Sequence, residues 1–206
     1  MPGGIGLYGG SFDPIHLGHV RIARAVAEGL DLQRVIFLPS SSPPHKQGRT
    51  LLDSVHRLEM VKLAIEGKPG LEVSDFDLTR SGPTYTIDTI AHFRQTLGPS
   101  AELYWIIGAD SLAELPSWHR ADELIDACRI VTAGRGGSGP IDWALLRERL
   151  SDRQIETLRA GVVETPLIDV SSTDVRARVR AQQPIRALVP EAVATYIEQH
   201  GLYGDG

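Results

Sequence analysis

Short, almost wholly apolar runs alternate with helical patterns along most of this chain, and that alternation limits the folds open to it. Ile5 to Tyr8, Arg34 to Leu38, Leu103 to Ile107 and Arg129 to Ala133 read as buried strands, with Leu167 to Val170 as a further candidate. Their apolarity does not alternate strictly, which suits a parallel sheet covered on both faces. Between them lie helical patterns. Leu17 to Leu30 spaces Val20, Ala23, Ala27 and Leu30 along one face, and Asp53 to Ile65 does the same with Val55, Leu58, Val61 and Ile65. Asp53 is placed as an N-cap. Further helices are predicted at Thr86–Leu97, Ile141–Leu158, Thr173–Ala181 and Pro190–His200. Strand–helix repetition of this kind predicts an α/β, doubly wound parallel sheet. The 206 residues are expected to form one domain, with residues from about 171 to 206 as a small helical part. In such sheets ligands bind beyond the carboxyl ends of the strands, where the strand order reverses, so the loops after strands are the places to look.

Composition narrows the function. The net charge is -5, whereas a sequence-independent nucleic-acid binder needs a basic stripe to neutralise phosphates. The apolar run Leu103 to Ala109 has seven residues, far short of the ~18 of a membrane helix. No secretory signal pattern is visible at the amino terminus. Cys128 is the only cysteine, which excludes an internal disulfide and a cysteine metal cluster. A cytoplasmic protein is expected.

The most informative motif follows the first strand: Gly9-Gly10-Ser11-Phe12-Asp13-Pro14-Ile15-His16-Leu17-Gly18-His19. Two glycines permit a tight turn and close approach to a ligand. The following helix carries His16 and His19, whose spacing of three puts both imidazoles on one face beside the free amides of a helix start. Together with the helix dipole they make an anion site. Other readings are weaker. Gly4-Ile5-Gly6-Leu7-Tyr8-Gly9 formally matches a dinucleotide fingerprint but lies inside the strand rather than after it. A His-x-x-His metal pair with Asp13 would lack the usual ligand count for zinc. Two surface histidines at a structural turn are the bland alternative.

A second motif, Val170-Ser171-Ser172-Thr173-Asp174-Val175-Arg176, places hydroxyls at another helix start with Arg176 one turn on from Ser172. A guanidinium fork matches phosphate oxygens well. Two loops interrupt the alternation: the stretch from Pro39 through Pro44, ending in His45-Lys46-Gln47-Gly48-Arg49, and the connector Gly134 to Pro140.

The two motifs together resemble the nucleotidyltransferase superfamily with an H-x-G-H signature. Pro44-His45-Lys46, Tyr85-Thr86-Ile87-Asp88-Thr89, Gly108-Ala109-Asp110-Ser111-Leu112 with Trp118, and the closing Gly201-Leu202-Tyr203 narrow the resemblance to the bacterial nicotinate-nucleotide adenylyltransferases. The resemblance implies a Rossmann-like nucleotidyltransferase fold. It also implies transfer of AMP from ATP, accompanied by Mg2+, to nicotinate mononucleotide in NAD biosynthesis. By the same resemblance, His16, His19 and Arg176 act on the triphosphate, helped by His45 and Lys46. Gly9, Gly10, Ser11 and Phe12 line the ATP site, and Ser171, Ser172 and Thr173 supply a second anion-binding helix start. Gly108 and Asp110 lie against the adenosine; Tyr85, Thr86, Trp118 and His119 frame the pyridine ring. A stable metal site on the protein is not expected, and partners are small molecules, with self-association left open. In one departure, Gly136-Gly137 follows Arg135 where the family tends to carry proline. Alternatives are an adenylyltransferase for nicotinamide mononucleotide or pantetheine phosphate, a cytidylyltransferase, a non-catalytic nucleotide-binding regulator, and a zinc hydrolase.

Overall fold

The structure is a computed structural model that describes residues 3–41, 51–80, 82–135, 141–165 and 169–204. Six parallel strands form one sheet: β1 (Ile5–Gly10), β2 (Arg34–Pro39), β3 (Leu71–Val73), β4 (Leu103–Gly108), β5 (Arg129–Arg135) and β6 (Val162–Thr165), in spatial order β3-β2-β1-β4-β5-β6. Strand β1 pairs with β2 on one side and β4 on the other, Tyr8 lying opposite both Phe37 and Ile106. The order reverses between β1 and β4, so the crevice beyond their carboxyl ends is the expected ligand position.

Helices cover both faces. On one lie α1 (Leu17–Gly29), α2 (Ser54–Ile65), α9 (Ser172–Arg180) and α10 (Glu191–Gln199), packed with Val35, Phe37, Tyr104, Ile106 and Val131. On the other lie α4 (Thr86–Leu97), α5 (Ala109–Glu114), α6 (Ala121–Ala127), α7 (Trp143–Arg147) and α8 (Asp152–Ala160), packed with Leu7, Ile36, Trp105, Ile107 and Ile130. A short α3 (Phe76–Thr79) follows β3. Odd and even residues of each strand enter opposite clusters, which is why the strands read as continuous apolar runs.

Several expectations shift. The last strand lies at Val162–Thr165, ahead of the expected Leu167 to Val170; Asp169 and Val170 are not strand, and 166–168 are outside the described residues. The helix expected over Ile141–Leu158 divides into α7 and α8, because Ser151 caps a new start by accepting from the Gln154 amide. Strand β5 runs on through Gly134 and Arg135, which register with Glu164 and Thr165, and the rest of the expected connector, with Gly136 and Gly137, lies outside the described residues. The most consequential shift concerns α2. Its predicted apolar stripe included Val55 and Leu58, yet Val55 is 69% exposed and the buried face carries Arg57, Met60, Val61, Ala64 and Ile65. An apolar stripe with several candidate phases cannot reveal that an arginine sets the phase.

Candidate active site

Both glycines after Tyr8 belong to β1, and neither needs a positive φ; the left-handed residue of the loop is Phe12, at φ +44°. A glycine at position 9 is required by packing instead. A Cβ there would lie 2.5 and 2.6 Å from two carbons of the Trp105 indole. The chain then turns through Ser11 to Ile15, with a cis Asp13–Pro14 bond, into α1, of which His16 is the N-cap.

His16 and His19 meet as expected from their spacing. Their rings stack with centroids 3.7 Å apart and 27° between planes. The His16 amide donates to Nδ1 of His19 at 3.2 Å. With Nδ1 accepting, neutral His19 carries its proton on Nε2, which is then a donor. The helix start is less open than the sequence suggests. The His16 amide is taken by His19, and the Leu17 amide donates to Leu188 O at 2.9 Å.

The second motif docks against this loop. Ser172 Oγ donates to Pro14 O at 2.9 Å, and Arg176 donates from Nη1 to Asp13 O and from Nη2 to Thr173 Oγ1 at 3.0 Å. The structure holds Arg176 beside the histidine loop, 6% exposed. A guanidinium so buried must spend its donors on fixed acceptors, and a carbonyl and a hydroxyl are among them. Ser171 and Thr173 lie outside the cleft lining. Ser171 and Asp174 form a reciprocal capping box, the Ser171 amide donating to Asp174 Oδ2 at 3.0 Å and the Asp174 amide to Ser171 Oγ at 3.1 Å. The Ser171 hydroxyl, and after it the Ser171 amide, donate to Asp174 Oδ2 and hold that carboxyl below its ordinary pKa. From the chain's far end, Tyr203 donates its hydroxyl to buried Asp13 Oδ1 at 2.8 Å. Burial, reinforced by the Asp13 charge, pushes the tyrosine far above its ordinary pKa, so it stays a donor.

Two cavities meet at the reversal of strand order. One, of about 220 Å³, is lined by His16, His19, Gly18, Asp110, Val170 and Ser172. The other, of about 190 Å³, is lined by Tyr85, Thr86, Trp118, His119, Trp105 and Asp77, among others. Tyr8, Gly9, Gly10, Ser11, Gly108 and Ser111 belong to both. Each alone is smaller than the ~300–1,000 Å³ usual for ligand pockets, whereas the joined cleft falls within that range. Phe12 lines the histidine lobe. In the aromatic lobe Tyr85 and His119 stack with centroids 4.1 Å apart. Buried Asp77 accepts from Thr89 Oγ1 at 2.8 Å, and burial raises its pKa against that bond. Trp105 Nε1 and Ser40 Oγ are buried there without a hydrogen-bond partner among the described residues, leaving polar groups for a ligand.

The sequence thus anticipated His16, His19, Gly9, Gly10, Ser11, Phe12, Gly108, Asp110, Ser172, Tyr85, Thr86, Trp118 and His119 in one cleft. His45 and Lys46 lie outside the described residues. It missed Asp77, Trp105, Ser111, Glu114, Arg57 and the Asp13–Tyr203 contact. Arg57 is a charged residue inside an otherwise apolar helical face, and that is the available signal for it. Among the described residues no group of three or more His, Cys, Asp or Glu converges as metal ligands, and no helix is long and apolar enough to cross a membrane.

A model of the cytidylyltransferase-like family matches residues 7–178, from within β1 to within α9. The chain belongs to that family. Its relatives include the proteins named "Probable nicotinate-nucleotide adenylyltransferase" of Dehalococcoides mccartyi, 44% identical over 198 residues and 96% of each chain, and of Moorella thermoacetica, 41% identical over 98% of this chain and 92% of that one. The fold is shared with Plasmodium falciparum nicotinic acid mononucleotide adenylyltransferase complexed with NaAD, at a TM-score of 0.74 and 18% identity over 98% of this chain and 97% of that one. It is shared too with the Vibrio parahaemolyticus protein named "Putative Nicotinate-nucleotide Adenylyltransferase", at a TM-score of 0.65 and 20% identity over 98% of this chain and 95% of that one. Of the run His16-Leu17-Gly18-His19, the residues His16, Gly18 and His19 line the histidine lobe of the cleft.

Proposed function

We propose that this chain transfers AMP from ATP to nicotinate mononucleotide, forming nicotinate adenine dinucleotide and pyrophosphate in the biosynthesis of NAD. The observation that carries this reading is the two-lobed cleft, with a histidine pair in one lobe, aromatic rings in the other, and a shared floor at Gly10, Ser11 and Gly108. Two substrates bound in adjoining lobes would meet over that floor. The names of the relatives, at more than 40% identity over nearly the whole chain, support the same reaction.

The reaction is an in-line attack of the mononucleotide phosphate on the α-phosphorus of ATP. That phosphate is already mostly a dianion at neutral pH, its second pKa being about 6. No general base is required. The task is to align two anions and to stabilise charge gathering on departing pyrophosphate. His19, donating from Nε2, and His16 beside it serve the triphosphate, and Ser172 closes the same lobe. We assign Arg176 to hold the loop from behind, where its positive charge also lies under the phosphates. Asp110 accepts from a ribose hydroxyl over Gly108. In the other lobe Trp118, Tyr85 and His119 offer flat faces to the pyridine ring, and amides at the start of α4 near Thr86 receive its carboxylate. Magnesium accompanying ATP would offset charge on the phosphate oxygens, and would be held mostly by those oxygens and water. Arg57 and Arg176, each donating to a carbonyl of the loop after β1, put positive charge behind the cleft in a chain whose net charge is -5. We also read residues 1–206 as one functional unit.

The test is to incubate the protein with ATP and magnesium plus, separately, nicotinate mononucleotide, nicotinamide mononucleotide and pantetheine phosphate, and to identify products by mass. Nicotinate adenine dinucleotide with matching pyrophosphate is expected, and the amide should react far less well, because carboxylate donors are poorly used by an uncharged isostere. Equal efficiency with both pyridine substrates refutes the carboxylate assignment, and no dinucleotide from either refutes the function.

A further inference from the structure

Arg57 is the bulkiest of the fully buried side chains, 1% exposed in a helix face otherwise made of Met60, Val61, Ala64 and Ile65. Among the described residues it makes no ion pair. Its hydrogen bonds go to three main-chain carbonyls: Nε donates to Leu52 O at 2.9 Å, and Nη1 donates to Ser11 O at 2.7 Å and Ser40 O at 2.8 Å. A buried guanidinium without a contacting carboxylate is costly, and burial draws its pKa down, opposed mainly by the Asp13 charge.

The three carbonyls matter by their positions. Ser11 directly follows β1 and lines both lobes of the cleft. Ser40 directly follows β2 and lines the aromatic lobe. Leu52 lies just before α2, so one side chain holds both ends of the segment joining β2 to α2. Two further bonds carry the connection onward. The Ser40 amide donates to Gly10 O at 2.9 Å, and the Ser41 and Thr84 hydroxyls share a hydrogen bond of 3.0 Å. Thr84 adjoins Tyr85 in the wall of the aromatic lobe.

We propose that Arg57 is a positioning residue for the transfer step: its fork fixes the spacing between the histidine loop and the wall of the acceptor lobe, and thereby the alignment of the two substrates. Arg57 touches neither cavity itself. A lysine keeps the charge and most of the stem but donates from a single nitrogen, so it cannot hold three carbonyls in the geometry a planar fork does. The proposal rests on the adenylyltransferase reading, and its signature is a loss in turnover without a loss in the binding of either substrate alone.

The test compares wild type with Arg57→Lys, and with Arg57→Met as a second variant, each well below its own Tm. Turnover is measured with ATP, magnesium and nicotinate mononucleotide. The Kd of the mononucleotide alone and of a non-hydrolysable ATP analogue alone are measured by calorimetry. For Arg57→Lys we expect kcat to fall about 10- to 100-fold, as for a misalignment near 1 Å, with both Kd values within about threefold of wild type. Arg57→Met should show at least the same kcat loss. A kcat within about twofold of wild type overturns the proposal, whatever the Tm; so does a loss matched by weaker binding of a single substrate. If Arg57→Met does not fold, Arg57→Lys decides alone. Wild type forming no dinucleotide would defeat the functional reading itself, an outcome distinct from an active wild type matched by an equally active variant.

Discussion

Gly9→Ala probes how packing and catalysis are joined at the end of β1. The new methyl carbon would sit 2.5 and 2.6 Å from two indole carbons of Trp105. Carbon atoms prefer about 3.5–4.0 Å, so the ring must retreat by about 1 Å. It has little room, since Trp105 is buried in a cluster with Leu38, Ile107, Leu112 and Leu115. Overpacking of this kind costs about 1–3 kcal/mol, and for a chain of this length each kcal/mol lowers Tm by about 2–4 °C. A drop of about 2–12 °C in a thermal melt followed by circular dichroism is therefore expected. Because Trp105 lines the aromatic lobe, the KM for the mononucleotide should rise while that for ATP changes less. Gly108→Ala is the control. Its Cβ would meet nothing within 4 Å, and its backbone is extended at φ −80°, so Tm should hold. Gly108 lines both lobes, however, and a methyl there should raise the KM for ATP if adenosine lies against it. Equal Tm values for Gly9→Ala and wild type would refute the packing argument.

Four further outcomes follow from the site. His19→Ala should cut turnover by about 10²–10³, the usual loss for a transition-state donor, at nearly constant Tm. Arg176→Ala should lower turnover and Tm together, since Asp13 O and Thr173 Oγ1 lose their partner. Near-normal turnover in either folded variant counts against its assigned role. Tyr203→Phe removes the donor to buried Asp13. A hydrogen bond to a charged group contributes about 1.5–3 kcal/mol, so Tm should fall by about 3–12 °C, and an unchanged Tm refutes the contact. Asp77→Asn tests burial of a charge. Burial raises the Asp77 pKa above its unfolded value. The folded state therefore binds the proton more tightly between the two values, and above both it carries a desolvated charge. Asparagine keeps an acceptor for Thr89 Oγ1, so the variant should be more stable than wild type at neutral pH. That gain should vanish as pH falls into the ordinary carboxylate range. A variant less stable than wild type at neutral pH would refute the reasoning.

The sequence alone determined the sheet and its handed layering, because continuous apolar runs such as Leu103 to Ile107 can only be buried on both faces. It also put His16 and His19 together at the helix start, although their stacking depends on His16 being the extended N-cap whose amide donates to His19. Sequence pattern could not set contacts between distant segments, which depend on where whole elements dock. Nothing local marks Tyr203 as the partner of Asp13, 190 positions away, or Arg176 as a donor to Asp13 O. The phase of α2 is the clearest case. Val55 and Leu58 fit a helical stripe as well as Met60 and Ala64 do, and the choice fell to Arg57, whose fork meets the carbonyls of Ser11, Ser40 and Leu52 only in the folded chain. Periodicity records which residues can be buried; the fold decides which polar groups must be satisfied there, and so which face turns inward.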